Sequence, residues 1–264
     1  MGRLPSLALL LWLALLAGCV RSDFNLATQR QEYSFTSTDK EVEIGRKLAR
    51  RVERELTLVP DEAMQQRVRA IGGRLAAVCD RRELVYSFEA VKDDDVNAFS
   101  LPGGYIFVNE GLVKKVGSDD ELAAVLAHEI GHVAARHSIK RYETALATQL
   151  AQLATIAVAR QGQAARGLSV VMQATQLAYA RQDELDADRL AVRYMREAGY
   201  DPSAALSFLN RLHGLDQSKL RYMPRGVVRP QYGMTHPFIP ERIRAVKEAL
   251  YGVADYIDYL NSSE

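Results

Sequence analysis

Two histidines four residues apart define the chemistry that this sequence could perform. They belong to the run His128-Glu129-Ile130-Gly131-His132. On an α-helix this spacing places both imidazoles on one face, one turn apart, where they can bind a single zinc ion. Glu129 follows the first histidine directly, so its carboxylate lies beside the metal and can take a proton from water that the metal activates. The motif therefore predicts a zinc-dependent hydrolase with Glu129 as general base.

A catalytic zinc ion is expected to have three protein ligands, so a third ligand must lie elsewhere in the chain. The pattern that supplies a third histidine from the next turns would need Gly at position 135 and His at 138, where this chain has Ala135 and Ser138. Residues 182–188 instead place several carboxylates inside an otherwise apolar helical stretch. Glu184 is the best candidate in this segment.

Helical periodicity selects Glu184 over its acidic neighbours. Glu184 shares one helical stripe with Arg181 and Asp188. Asp183 and Asp186 lie off that stripe, on a face that we interpret as solvated. Asp188 lies one turn beyond the ligand, so it could accept the ring N–H of a ligating histidine or deliver a proton to the departing amine.

Two additional residues, both later in the chain, could complete the site. His236 precedes Pro237 in a loop punctuated by Pro and Gly, where a core-packing role is less expected than on a helix face. It could stabilise the oxyanion of the tetrahedral intermediate, or bind the zinc as a fourth ligand that keeps the enzyme inactive. Arg242 could contact an oxyanion or a carboxylate, or form a structural ion pair.

The elements that must position these residues are mainly helical, with a small β-sheet, which predicts an α+β fold. Thr38 and Glu41 form a candidate capping box for the first helix, which ends before Pro60. Alternation and helical periodicity predict the remaining elements: a helix over 61–77, strands over 84–91 and 105–108, a helix over 119–137, two long helices between 140 and 199 with a turn near Gly162 and Gly167, a helix from 201, and a last helix from 240 to 250.

The first residues have the parts of a secretory signal. Arg3 precedes an apolar run from Leu7 to Leu16, which is too short to span a bilayer comfortably. The run ends in Ala17-Gly18-Cys19, which resembles a bacterial lipobox; an ordinary cleaved signal is the alternative. We therefore expect a signal peptide over 1–18, a lipid-anchored aperiodic tether over 19–37 and a peptidase domain over 38–264.

Composition limits the partners. The formal net charge is +1 and acidic and basic residues are interspersed. The sequence therefore predicts no basic face that would bind nucleic acid. Only Cys79 remains once Cys19 carries lipid, so no disulfide forms within the mature chain. Val20 stands where an aspartate would favour retention at the inner membrane, so we expect the periplasmic face of the outer membrane.

Together these motifs resemble the zinc metallopeptidase family of HtpX, the CAAX prenyl endopeptidase and the periplasmic BepA-type proteases. The resemblance covers about residues 36–250 and rests on Asn97-Ala98-Phe99, Pro102-Gly103-Gly104, Asn109-Glu110-Gly111-Leu112, the run from His128 to His132, the turn from Glu184 to Asp188, and Thr235-His236-Pro237 with Arg242. It implies a gluzincin-like domain, one zinc ion per chain, and a sheet edge that receives extended substrate. It also implies Asp188 as proton donor.

The resemblance further implies a role in the quality control of misfolded or outer-membrane proteins, with the outer-membrane assembly machinery as a partner. A non-catalytic, chaperone-like assembly factor that keeps the same fold is the main alternative. The presence of Glu129 argues against it, because a protein without the task of activating water has no physical reason to place a carboxylate there. A hydrolase of non-peptide substrates is a third hypothesis.

Overall fold

The structure of this protein is a computed structural model that describes residues 21–158, 181–220 and 236–252. Helices dominate it, as the sequence predicts, and two small sheets accompany them where one was expected. The elements, labelled in chain order, are β1 (Arg21–Asn25), β2 (Arg30–Ser34), α1 (Thr38–Glu55), α2 (Glu62–Ala76), β3 (Ser87–Val91), β4 (Ala98–Leu101), β5 (Tyr105–Asn109), α3 (Glu110–Lys115), α4 (Asp119–Ala134), α5 (His137–Val158), α6 (181–197 within the described residues), α7 (Ser203–Leu220) and α8 (Ile239–Tyr251).

The larger sheet has β5 at its centre. β3 pairs with β5 in parallel and β4 pairs with it antiparallel, so β4 is an edge strand. The predicted strand over 84–91 is shorter than expected, and β4 was not predicted because its four residues offer little alternation. A 3₁₀ turn over Pro102–Gly104 joins β4 to β5, and φ of +77° at Gly103 favours glycine there.

Helix α4 runs through the core. Every residue from Glu121 to Ala134 is buried, and the helix packs against α2, α7 and β4. Its N-terminus is capped by Ser118, whose side chain accepts a hydrogen bond from the Glu121 amide. Small alanines on several sides let the surrounding elements approach, so the central helix carries its polar motif inside an apolar shell.

Two predicted helix boundaries are wrong. α4 ends at Ala134 and not at His137, because Arg136 adopts a left-handed conformation with φ of +58°. The Arg136 guanidinium donates to the Thr36 carbonyl and to Glu41, so contacts distant in sequence fix this break. Ser37 and not Thr38 caps α1, and Glu41 is buried in ion pairs instead of completing a capping box.

The segment interpreted as an aperiodic tether differs most from expectation. β1 and β2 form an antiparallel hairpin over residues 21–34 that docks on the helical part of the fold. The docked face is polar: Lys140 donates to Glu32 at 2.7 Å and the Ser34 hydroxyl donates to Glu143 at 2.6 Å. A polar strand face that packs on a polar surface leaves no apolar alternation for sequence reasoning to detect.

The same docking shows that the acids beside Glu184 are not solvated. Arg30 of the hairpin donates to Asp186 at 3.0 Å, and the Asp186 residue is only 8% exposed. Asp183 lies 3.5 Å from the Arg141 guanidinium and is also largely covered. The interpretation of both residues as a solvated face is therefore wrong.

The helices predicted from residues 201 and 240 are confirmed, and Pro240 lies in the first turn of α8. α5 and α6 confirm the predicted helical character over 140–158 and 181–197. The predicted turn near Gly162 and Gly167 lies outside the described residues, as do the predicted signal and Cys19. Across the described ranges, none of the helices has the length and apolar character that a membrane crossing needs.

Candidate metal centre

Helices α4 and α6 approach closely at the site. A Cβ atom at Gly131 would lie 2.9 Å from the carbonyl oxygen of Ala187, which is closer than packed atoms tolerate. Gly131 stands between the two motif histidines, and Ala187 stands between Glu184 and Asp188. The absent side chain at Gly131 thus lets the carboxylates of α6 reach the imidazoles of α4.

Four ligand atoms converge at this crossing. Those of His128, His132, Glu184 and His236 all lie within 4.8 Å of one another, and all four residues are buried. Nε2 of His132 lies 3.1 Å from Nε2 of His128, and Glu184 Oε2 lies 3.3 Å from the latter atom. Nδ1 of His236 is 3.3 Å from Nε2 of His128 and 3.2 Å from Glu184 Oε2.

The residues present fit a metal ion. Ligands of a tetrahedral zinc ion lie about 2.0–2.1 Å from the metal, and hence about 3.4 Å from one another. The distances above cluster around that value. Both carboxylate oxygens of Glu129 and Oε1 of Glu184 are buried without a hydrogen-bond partner among the described residues. Burying carboxylate oxygens without a partner lowers the stability of the fold. Such oxygens therefore indicate a site where a cation and water bind to them.

A second layer of contacts holds the His128 ring. Its Nδ1 atom lies 2.8 Å from Oδ1 of Asp188. Arg242, which is 1% exposed, donates to both oxygens of Asp188 at 2.8 Å. The structure thus places Asp188 behind the His128 ring, and it assigns Arg242 a carboxylate partner inside the cluster.

His137 also belongs to the site, and sequence reasoning missed it. Its Nδ1 atom lies 2.8 Å from Nδ1 of His132, and its Nε2 atom lies 3.4 Å from Oδ1 of Asp183. His137 is the first residue of α5, directly after the break at Arg136 that the sequence did not predict. On a helix that continued from α4, position 137 would not have faced His132 in this way.

Burial and the neighbouring charges set different protonation states for the residues of this cluster. Burial opposes ionisation of Glu184, yet His132 and His236 beside it hold its pKa well below the usual range. Burial lowers the pKa of His132 to about 4, so its ring is neutral near pH 7. Against burial and the Arg242 guanidinium, Asp188 and Glu184 raise the pKa of His128 to about 9. A metal ion that binds this ring therefore displaces a proton.

Every residue that sequence analysis assigned to the site lies within this one cluster: His128, Glu129, His132, Glu184, Asp188, His236 and Arg242.

Comparison with known proteins then decides the family. Residues 62–250 match the model of Peptidase family M48. The chain belongs to this family. Membership in M48 implies a metal ion at the cluster described above, and it confirms the resemblance found in the sequence motifs.

The chain is similar to only part of each M48 relative. The chain is 30% identical over 240 residues to the beta-barrel assembly-enhancing protease of Yersinia pestis, which covers 85% of this chain and 48% of that protein. It is 28% identical to the protein of the same name from Escherichia coli (strain K12), over 80% of this chain and 44% of that protein. It is also 32% identical to the mitochondrial metalloendopeptidase OMA1 of Schizosaccharomyces pombe, over 67% of this chain and 50% of that protein. The chain thus spans about half the length of these curated relatives.

Proposed function

We propose that this protein is a zinc metalloendopeptidase that binds one zinc ion through His128, His132 and Glu184. One observation carries the proposal: the ligand atoms of these residues converge beside a buried Glu129 carboxylate without a hydrogen-bond partner among the described residues. Membership in Peptidase family M48 supports peptides as the substrates. A zinc ion held there would supply a Lewis acid that polarises a carbonyl group and lowers the pKa of a water molecule.

The residues of the chain then perform the remaining tasks. Glu129 takes a proton from the attacking water and hands it to the departing amine, because its carboxylate is adjacent to the ligands without being one. His236 and His132 lower the pKa of Glu129 against the effect of burial, so the base is ionised before the reaction. Asp188 and Arg242 keep the His128 ring oriented. β4 offers an edge strand next to α4 along which an extended substrate could lie.

His236 has a separate role in this proposal. Its Nδ1 atom takes the fourth corner of the ligand cluster, at 3.2 and 3.3 Å from its neighbours, and Nε2 lies 3.4 Å from Glu129 Oε1. These distances support the fourth-ligand role over the oxyanion role. As a fourth ligand His236 would take the place of the water on zinc, so its ring would have to move aside before the enzyme cleaves casein or another substrate.

We further propose that a signal over 1–18 is removed, that lipid on Cys19 anchors the protein at the periplasmic face of the outer membrane, and that residues 38–264 form the peptidase domain. Unfolded or misassembled outer-membrane proteins are then the substrates, and the outer-membrane assembly machinery is a candidate partner. The similarity to the beta-barrel assembly-enhancing proteases of Yersinia pestis and Escherichia coli supports this choice.

Casein cleavage tests the activity against the two alternatives. The purified protein should cleave casein, a chelator should abolish cleavage, and added zinc should restore it. A folded, zinc-loaded protein that leaves casein intact but suppresses aggregation of unfolded outer-membrane proteins would support the non-catalytic assembly factor. Cleavage of small esters without cleavage of any protein would support a non-peptide hydrolase. Mass spectrometry of the proteins that accumulate when Glu129 is disabled then identifies the substrates.

A further inference from the structure

The β1–β2 hairpin has an outer face that carries exposed aromatic side chains. Phe24 is 53% exposed, Tyr33 is 69% exposed and Phe35 is 49% exposed. Along β2 and the residues after it, exposed Gln31, Tyr33 and Phe35 alternate with covered residues that face the peptidase body. In the register of the hairpin, Phe24 pairs with Gln31, so Phe24 lies on the same outer face. Large apolar side chains grouped on one exposed face are typical of an interaction surface.

The opposite face fixes the hairpin rigidly. Glu32 accepts from Lys140, the Ser34 hydroxyl donates to Glu143, and Arg30 donates to Asp186. The Asn25 amide also donates to the Ala134 carbonyl at the end of α4, the helix that carries the metal motif. The polar contacts of the inner face therefore orient the aromatic face outward.

The hairpin begins close to Cys19 in the sequence, and this proximity indicates which surface the aromatic face contacts. β1 begins at Arg21, two residues after Cys19. Two extended residues reach about 7 Å. The headgroup region on each side of a bilayer is about 5 to 7 Å deep. A lipid on Cys19 would therefore hold the hairpin against the interface. Tyr is enriched at that depth because its ring is amphipathic, and Phe rings on the same face can enter the acyl boundary beneath the headgroups.

We propose that the outer face of the β1–β2 hairpin, with Phe24, Tyr33 and Phe35, binds the membrane surface and fixes the orientation of the peptidase domain on it. This inference rests on the lipid anchor proposed above. The short reach from Cys19 favours a lipid surface over a protein partner, because a bilayer is then present at high effective concentration beside this face. The lipid supplies attachment, and the aromatic face supplies orientation of the domain.

The chain offers a clean fluorescent test. Its single tryptophan is Trp12, within the predicted signal, so a mature chain that begins at Cys19 contains none. The lipidated protein carrying Tyr33→Trp is reconstituted into vesicles of phosphatidylethanolamine and phosphatidylglycerol that contain acyl chains brominated near the headgroups. We expect a blue-shifted emission and strong quenching by bromine. Val85→Trp provides the matched control, because Val85 is 87% exposed in the loop before β3, and its emission should be unshifted and unquenched.

Three outcomes separate this proposal from its premises. Quenching of the Tyr33→Trp reporter that falls when Phe24→Ser and Phe35→Ser are added supports the aromatic face. A protein that floats with the vesicles while Tyr33→Trp and Val85→Trp emit alike overturns this proposal and leaves the anchor intact. A protein that does not float, or one without added tryptophan that still emits from Trp12, removes the anchor and this proposal together. Because no readout uses catalysis, failure of the peptidase assay is a separate result.

Discussion

Oδ1 of Asp188 lies 2.8 Å from Nδ1 of His128, on the edge of the ring opposite the Nε2 atom that faces Glu184. Arg242 donates two hydrogen bonds to the same carboxylate. A carboxylate placed behind a ligating imidazole fixes the ring orientation and raises its basicity as a ligand. The geometry therefore supports an orienting role for Asp188, whereas the family resemblance implies a proton donor.

The Asp188→Asn variant separates these two roles. If Asp188 orients His128, zinc affinity should fall by about 10- to 100-fold while turnover at saturating zinc stays near that of the unsubstituted enzyme. Competition with a zinc-binding dye measures the affinity, and peptide cleavage at saturating zinc measures turnover. Unchanged affinity with a large loss of turnover would assign the proton-donor role instead.

His137 should support the second ligand as Asp188 supports the first. The His137→Phe variant keeps a ring of similar size but removes the contact at 2.8 Å with Nδ1 of His132. We expect zinc affinity to fall by about 10- to 100-fold, because the ring of His132 loses the partner that fixes its orientation. The same dye competition measures this, with circular dichroism to show that the fold is intact. An affinity equal to that of the unsubstituted protein would make His137 a packing residue only.

Gly131 should be required for the close approach of α4 and α6. In the Gly131→Ala variant a Cβ atom would meet the Ala187 backbone at 2.9 Å, so the free energy of unfolding should fall by about 1–3 kcal/mol. Gly73→Ala is the matched control, because Gly73 is also helical but its Cβ would meet nothing within 4 Å. That control should gain about 0.5–1 kcal/mol from the better helix former. Urea unfolding of both variants checks the contrast, and equal effects would contradict it.

Glu184 should be needed for zinc binding, and its acidic neighbour should not. The Glu184→Ala variant removes the one carboxylate among the four clustered residues and leaves histidines alone, so zinc affinity should fall and zinc retained after dialysis should drop below one per chain. Asp186→Ala is the control: it removes a carboxylate from the same helix that pairs with Arg30 and is not among the clustered ligands. Atomic absorption on dialysed protein measures both. Full zinc occupancy in the Glu184→Ala variant would assign the third ligand elsewhere.

The sequence predicted the part of the site that depends on local periodicity. The spacing of His128 and His132, and the stripe shared by Glu184 and Asp188, follow from 3.6 residues per turn wherever the helices lie. His137 could not be found in the same way, because its position depends on the left-handed Arg136. That conformation is fixed by contacts with a carbonyl group and an acid about a hundred residues earlier in the chain.

The hairpin escaped prediction for a related reason. Its inner residues, Glu32 and Ser34, are polar, and their partners Lys140 and Glu143 lie on α5. A sequence pattern can predict which apolar residues are buried. Whether polar residues are buried through hydrogen bonds and ion pairs depends on which surfaces the fold brings together. The solvated interpretation of Asp186 failed on the same ground, because Arg30 of the hairpin covers it.

The most direct test of the central claim measures zinc content and proteolysis on one preparation of the Glu129→Gln variant. This substitution removes no ligand atom, so the variant should bind one zinc ion per chain as tightly as the unsubstituted protein. The amide cannot accept a proton from water, so casein cleavage should fall to near background. A zinc-loaded Glu129→Gln protein that cleaves casein at a rate close to that of the unsubstituted enzyme would contradict the account, even if all three ligands were confirmed.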